Sequence, residues 1–303
     1  MATRPFETIG IIGAGTMGAQ IALHCAVHGY PVQLFSRSTA TLQQAAQSHA
    51  QELAHRLAQQ QITVDEKERI LRRIQCTTQM HEAVAGADLV IENVPEQLEL
   101  KREVFAQLDQ LCPRHTILAT GSSSICISAL EGVTQRPEQV LNMHFYSPMW
   151  QRSMVELMGG TATTEATMAR ARRFVRSLDL TPLLVRKESI GFLFNRVWRA
   201  IKKECLHLVD AGVASYEDVD RAWMIAFGTP AGPFGLMDMI GLDVVRDIEM
   251  VYYRTSGEVS DAPPQLLLDK IARGELGRKT GQGFYSYPHP AFQTPGWLKG
   301  DKE

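Results

Sequence analysis

The 303-residue chain has no surplus of basic side chains: Lys and Arg number 31, Asp and Glu 33, for a formal net charge of −2. Nucleic-acid binders usually carry a basic excess or stripe, so nucleic acid is not an expected partner. The chain also lacks a long apolar run. No stretch reaches the ~18 residues that a membrane-spanning helix needs, so no membrane partner is expected. Cysteines are few, five in all, at positions 25, 76, 112, 126 and 205, and no two have CxxC spacing. Neither a disulfide framework nor a zinc site reads from them, and no metal is expected. Such scatter fits free thiols in a reducing compartment. Met1-Ala2-Thr3-Arg4-Pro5 leads into a strand-like run without a hydrophobic leader, and the expected location is the cytoplasm.

What the chain does have is an ordinary globular balance, 45% hydrophobic and 21% charged residues, which excludes a disordered protein. At roughly 150 residues per domain its length suggests about two domains. Short apolar runs at Thr8–Ile12, Val32–Ser36, Asp88–Val94, Thr116–Thr120, Val140–Phe145 and Leu180–Val185 read as strands. Helical patterns at Thr16–His28, Ala40–Gln61, Asp65–Ile74 and Leu98–Leu111 alternate with them. This alternation predicts an α/β architecture, a Rossmann-type doubly wound parallel sheet with helices on both faces. After about Arg186 the texture changes. Phe192–Asp210, Tyr216–Ala226, Phe234–Arg254 and Gln265–Ala272 all read as helices. The expected division is therefore a Rossmann domain over 1–186, an all-helical domain over 187–287, and a surface tail over 288–303.

Gly13-Ala14-Gly15-Thr16-Met17-Gly18 is a GxGxxG run with a strand before it and a helix after it. That context gives each glycine a task. Gly13 permits the tight turn, Gly15 lets the backbone approach a pyrophosphate, and Gly18 lets the helix pack close to the strand. The N–H groups of Thr16 and Met17 open the helix, where an anion is favoured. In NAD binders an acid follows the second strand and holds the ribose 2′-hydroxyl. Here Val32-Gln33-Leu34-Phe35 is followed by Ser36-Arg37-Ser38, with no carboxylate. Ser36 and Arg37 suit a 2′-phosphate instead, so NADP(H) is expected to be accepted.

Among nine histidines, His144 stands apart. It ends a strand in the second half of the sheet, and sites in such sheets gather at strand C-termini. Twelve residues on, Glu156 is a lone carboxylate in the apolar run Val155-Glu156-Leu157 and needs a partner there. A Glu beside a His fixes its tautomer, the arrangement a general base requires.

Taken together, six motifs resemble the L-3-hydroxyacyl-CoA dehydrogenase family, and within it the short-chain 3-hydroxybutyryl-CoA dehydrogenases. They are the opening GxGxxG; Ser122-Ser123-Ser124-Ile125; His144-Phe145-Tyr146-Ser147-Pro148 with Val155-Glu156; Gly191-Phe192-Leu193-Phe194-Asn195-Arg196; Pro230-Ala231-Gly232-Pro233-Phe234; and Gly277-Arg278-Lys279-Thr280-Gly281-Gln282-Gly283-Phe284-Tyr285. The resemblance spans about residues 6–287. It implies hydride transfer between a nicotinamide cofactor, by family habit NAD, and an acyl thioester. It further implies His144 as general acid/base paired with Glu156, Ser123 near the substrate oxygen and nicotinamide, and Asn195 at the substrate. Glu96, Lys101, Ser147 and Lys279 match cofactor-contacting positions. A homodimer through the helical domain is also implied.

Three departures from the family pattern bear on binding. Gly121 stands where the family commonly has Asn, and Ser147 where it also has Asn. The family's CoA-contacting Ser and Lys on the long helix fall at Glu52 and Gln59, and Arg56 is the only basic side chain other than His between Ser38 and Gln61. Trp150 replaces a usual Pro; it and Arg152 are candidates for lining the acyl pocket and meeting a substrate carboxylate or phosphate. The same chemistry on a free hydroxy acid of the gulonate or carnitine type, or on a carrier-protein thioester, is the alternative. A non-catalytic role, as in lens crystallins of this family, has no need of Ser123, His144, Glu156 and Asn195 together.

Overall fold

A computed structural model of the chain describes residues 4–300. Eight strands among the described residues form one sheet: β1 (Ile9–Ile12), β2 (Val32–Phe35), β3 (Ile74–Thr77), β4 (Leu89–Glu92), β5 (Ile117–Thr120), β6 (Val140–Phe145), β7 (Met154–Gly159) and β8 (Thr181–Val185). Their order is β3-β2-β1-β4-β5-β6-β7-β8. The chain runs outward from β1 to β3, then returns to place β4 on the other side of β1. That reversal opens a crevice at the strand C-termini between β1 and β4, the usual ligand position in doubly wound sheets.

The central strands are short and fully buried, which is why they read as unbroken apolar runs and not as alternating ones. Alternate residues still face opposite layers. Ile11, Leu34 and Ile91 join the core beneath α1 (Thr16–Val27) and α7 (Glu165–Ser177). Ile12, Val90 and Leu118 join the core beneath α5 (Leu98–Leu111). The connecting helices α2 (Thr39–Ala58), α3 (Val64–Arg72), α4 (Met80–Val84) and α6 (Ser128–Glu131) complete the two layers.

The sheet departs from the expected all-parallel pattern at one place. β6 and β7 pair antiparallel, and β8 then runs parallel to β7. β3 was absent from the sequence pattern because its residues, Ile-Gln-Cys-Thr, are only partly buried at the sheet edge and lack an apolar run.

By internal contacts the first unit ends at Leu193 and the second starts at Phe194. The segment expected to follow the boundary near 186 is tied to the sheet domain. Glu188 accepts from Ser128 N at 2.8 Å, and Leu193 N donates to Glu156 at 2.9 Å.

The second unit holds α8 (Phe194–Asp210), α9 (Tyr216–Phe227), α10 (Pro233–Ile240), α11 (Leu242–Ser256) and α12 (Gln265–Ala272). The single helix expected over Phe234–Arg254 is broken at Gly241, whose φ of +105° is left-handed territory that glycine tolerates and a helix cannot use. The surface tail expected over 288–303 is corrected in part: Phe292 and Trp297 are buried with Leu206, Phe234 and Met237, while 301–303 lie outside the described residues. Aromatic burial outweighs the Pro and Gly content that had suggested a tail.

Candidate active site

The glycine run forms the turn from β1 into α1. Gly13 has φ +103°, and a Cβ there would come within 2.5 Å of the Asn93 carbonyl. A Cβ on Gly18 would meet the Gly13 carbonyl at 1.8 Å, so close helix-to-strand packing demands glycine. Gly15 is different: nothing lies within 4 Å of its Cβ position. The backbone there faces open space, beside helix N–H groups that no side chain caps. Thr16, Met17 and Gly18 supply those first-turn N–H groups, and the turn carries no acidic residue. This is the cradle that a dinucleotide pyrophosphate fits.

A cleft of about 540 Å³ continues from Gly13, Ala14 and Gly15 to Ser36, Arg37, Ser38 and Thr41. Its opposite wall is Asn93, Val94, Pro95 and residues of α5. Ser38 caps α2, its hydroxyl accepting from Thr41 N. Arg37 is exposed at the end of β2, and the one carboxylate lining the cleft, Glu103, comes from α5.

Two neighbouring carboxylates shape the rim of the crevice. Glu92, fully buried at the end of β4, accepts from Lys101 Nζ at 2.8 and 3.0 Å, Thr120 Oγ1 at 2.7 Å and Val94 N at 2.6 Å. Lys101 is only 1% exposed and also reaches Val94 O at 3.2 Å. Its ammonium, at a position the family pattern offers as a cofactor contact, is enclosed among protein oxygens, where an unpaired charge would be costly. Glu96 grips the serine loop: the hydroxyls of Ser122 and Ser124 and the N–H of Ser124 all donate to its Oε1. Burial pushes the Glu96 carboxyl up, but those donors and Lys101 at 3.3 Å hold it below the usual range. Ser123, between the two gripped serines, is left exposed.

His144 and Glu156 are direct partners across the antiparallel β6–β7 pair. Opposed residues there have side chains roughly 5 Å apart on one face, which explains the spacing seen in sequence. His144 Nδ1 lies 3.0 Å from Glu156 Oε2. Tyr146, one residue past the end of β6 and two beyond His144, donates its hydroxyl to that oxygen at 2.7 Å. Leu193 N takes Oε1. Phe192, with φ +54°, stacks on the imidazole at 4.7 Å between centroids, and Tyr146 meets it edge-on at 4.5 Å. His144 is 5% exposed and Glu156 fully buried. Burial, then the bond and charge of Glu156, push the Tyr146 phenol well above its ordinary value. With Nδ1 directed at a carboxylate, the ring is held in the tautomer whose Nε2 can accept a proton.

Tyr146 and Phe192 escaped sequence reading. Strand alternation from His144 was the available signal for Tyr146; the left-handed turn that brings Phe192 over the ring leaves none. Ser147 is anchored to α1, its hydroxyl accepting from Gln20 Nε2 at 3.0 Å.

Beyond Ser147, Trp150 is 41% exposed and lines a groove of about 460 Å³ with His24, His28, Glu52, His55, Arg56 and Gln59. Arg152 is exposed and does not line it. Arg56 is paired with Glu52 at 2.7 Å. Burial, then the charge of His28, lowers His24 to about 4, so its ring is neutral near pH 7. In the second unit, Asn195 is half-buried on the first turn of α8, and Lys279 Nζ pairs with Asp243 at 2.5 Å.

A doubly wound sheet with a glycine cradle at its reversal point and an imidazole–carboxylate pair at a strand end defines a dinucleotide-dependent enzyme domain. Residues 8–189 match the model of the 3-hydroxyacyl-CoA dehydrogenase NAD binding domain, and residues 191–287 match that of the 3-hydroxyacyl-CoA dehydrogenase C-terminal domain. The chain belongs to the 3-hydroxyacyl-CoA dehydrogenase family. It is 34% identical over 279 residues to a 3-hydroxybutyryl-CoA dehydrogenase of Clostridioides difficile, covering 92% of this chain and 99% of that one. The crystal structure of (S)-3-hydroxybutyryl-CoA dehydrogenase from Ralstonia eutropha superposes with a TM-score of 0.87 at 34% identity, covering 94% of this chain and all of that one. A 5-formyl-3-hydroxy-2-methylpyridine 4-carboxylate 5-dehydrogenase of Mesorhizobium japonicum is 33% identical over 286 residues, 93% of this chain and 91% of its own.

Proposed function

We propose that the protein interconverts 3-hydroxyacyl and 3-oxoacyl thioesters of the 3-hydroxybutyryl-CoA type, with His144 as general acid/base. The observation that carries this reading is the buried His144–Glu156 pair at 3.0 Å. A nicotinamide dinucleotide bound along the glycine cradle supplies the hydride acceptor, or the donor in reverse. In oxidation, His144 Nε2 takes the 3-hydroxyl proton while Nδ1 stays bonded to Glu156; in reduction the same nitrogen returns it. Tyr146 and Leu193 N keep the carboxylate aimed at the ring. Such proton transfer contributes typically 10²–10⁴-fold.

Ser123 and Asn195 are assigned to the substrate. Gly13, Gly15, Thr16, Met17 and Gly18 hold the pyrophosphate. Glu96 acts by shaping the serine loop, and Lys101 by neutralising Glu92. Ser147, Lys279, Trp150 and Arg152 remain binding candidates. Ser36, Arg37, Ser38 and Thr41 at the cleft end support acceptance of a 2′-phosphate, hence NADPH beside NADH. The helical unit is assigned to substrate binding and homodimer formation, supported by exposed Val197, Ile225, Phe227 and Val244; a light-scattering mass of one chain would contradict the dimer. Five cysteines without a disulfide suit a cytoplasmic setting.

The same chemistry on a free hydroxy acid, or on a carrier-protein thioester, draws support from one observation. Arg56, the lone cation on the groove side of α2, is already paired with Glu52. An absorbance assay at 340 nm with acetoacetyl-CoA, its N-acetylcysteamine analogue and free hydroxy acids decides. Turnover of acetoacetyl-CoA is expected; turnover of free acids alone would overturn the thioester assignment.

A further inference from the structure

Asn93 occupies the reversal point of the sheet. Its N–H donates to Ile12 O at 2.7 Å, one residue before the glycine turn. On the other side lies Gly121, the first residue after β5, whose N–H donates to Glu92 O at 2.8 Å. A Cβ built on Gly121 would stand 2.4 Å from Asn93 Oδ1. Gly121 does not have a positive φ, so its backbone does not require glycine. The space does: a side chain at 121 and the Asn93 carboxamide compete for one place.

The carboxamide is weakly held there. Its Nδ2 reaches Ile91 O at 3.3 Å, long for such a bond. Asn93 is half-buried and lines the cleft that begins at the glycine turn. Strand order says which half of a dinucleotide passes it. The pyrophosphate rests on α1 after β1, and the adenosine ribose falls toward the end of β2. The other ribose then lies toward β4 and β5, on the way to His144 at the end of β6. A carboxamide offers an acceptor and donors side by side, matching a vicinal diol.

We propose that Asn93 is a cofactor-positioning residue that holds the nicotinamide-side ribose, and that Gly121 is small in order to admit it. The proposal rests on the dinucleotide site described above. It is tested by calorimetric titration of the full chain with NADH, ADP-ribose and ADP, the last lacking the second ribose. Asn93→Ala is expected to weaken NADH and ADP-ribose about three- to tenfold, the range of one hydrogen bond, and to leave ADP unchanged. Gly121→Asn alone should weaken NADH as well, by crowding the carboxamide. Asn93→Ala/Gly121→Asn should recover most of the loss, because one carboxamide is restored in the shared space. Equal weakening of all three ligands by Asn93→Ala would reveal a merely structural turn and overturn the proposal. So would unaltered NADH affinity, or a double variant no better than the worse single one. If the unaltered protein bound none of the three, the dinucleotide site itself would fall, a distinct result.

Discussion

Glu156 in the sheet unit and Asp220 in the helical unit are near twins. Each carboxylate is fully buried. Glu156 receives His144 Nδ1, the Tyr146 hydroxyl and Leu193 N. Asp220 receives Phe234 N, Gly235 N and the Tyr285 hydroxyl, so it caps α10 from a different helix. Both tyrosines are pushed well above their ordinary range by burial and then by the carboxylate each one serves. A buried carboxylate with three donors is therefore no mark of function by itself. Among the bonds described, Glu156 holds an imidazole, and Asp220 holds backbone N–H groups and a phenol.

The widest gap between the twins is expected from their amides. Glu156→Gln should lower kcat by about 10²-fold or more, besides a stability loss like that of its twin. Asp220→Asn should leave kcat unchanged at 25 °C while costing about 2–3 kcal/mol of stability, a fall of about 5–10 °C in calorimetry. An unchanged kcat in the first or a rate loss in the second would erase the distinction.

Acidity should separate the units next. Burial raises Asp220 to about 6 from 3.8. Its protonated form is thus favoured by folding, and its contribution is complete below about pH 3.8 and lost as pH rises through about 6. His24 in the sheet unit runs the other way: its contribution is complete above pH 6.5 and lost as pH falls through about 4. A tenfold change in an acidity constant corresponds to about 1.4 kcal/mol. Urea denaturation between pH 4 and 7 should show Asp220→Asn removing a declining slope and His24→Asn a rising one; slopes unmoved by either variant would contradict the assignment. Smallest is Tyr146→Phe, which deletes one of Glu156's donors. It should lower kcat less than tenfold, the worth of one hydrogen bond, and a loss as large as that of Glu156→Gln would make Tyr146 a proton carrier itself.

Sequence carried the central strands and the glycine turn because both rest on local composition. The His144–Glu156 pairing was legible as two residues but not as geometry, since only the β6–β7 reversal makes them neighbours. Nothing local announces that reversal. Lys101 shows the same limit: the family pattern offers it as a cofactor contact, and its pairing with Glu92 at the end of β4 leaves no local mark in the sequence. Likewise Trp297 lies amid Pro and Gly, and its place in the helical core is set by partners such as Tyr285.

The central claim is that His144 moves the proton. Single-turnover reduction of acetoacetyl-CoA by His144→Gln, followed by loss of NADH absorbance, tests it most directly. The expected result is NADH affinity within about twofold of the parent and a rate slower by about 10²–10⁴-fold. Near-parental rate with intact NADH binding would contradict it.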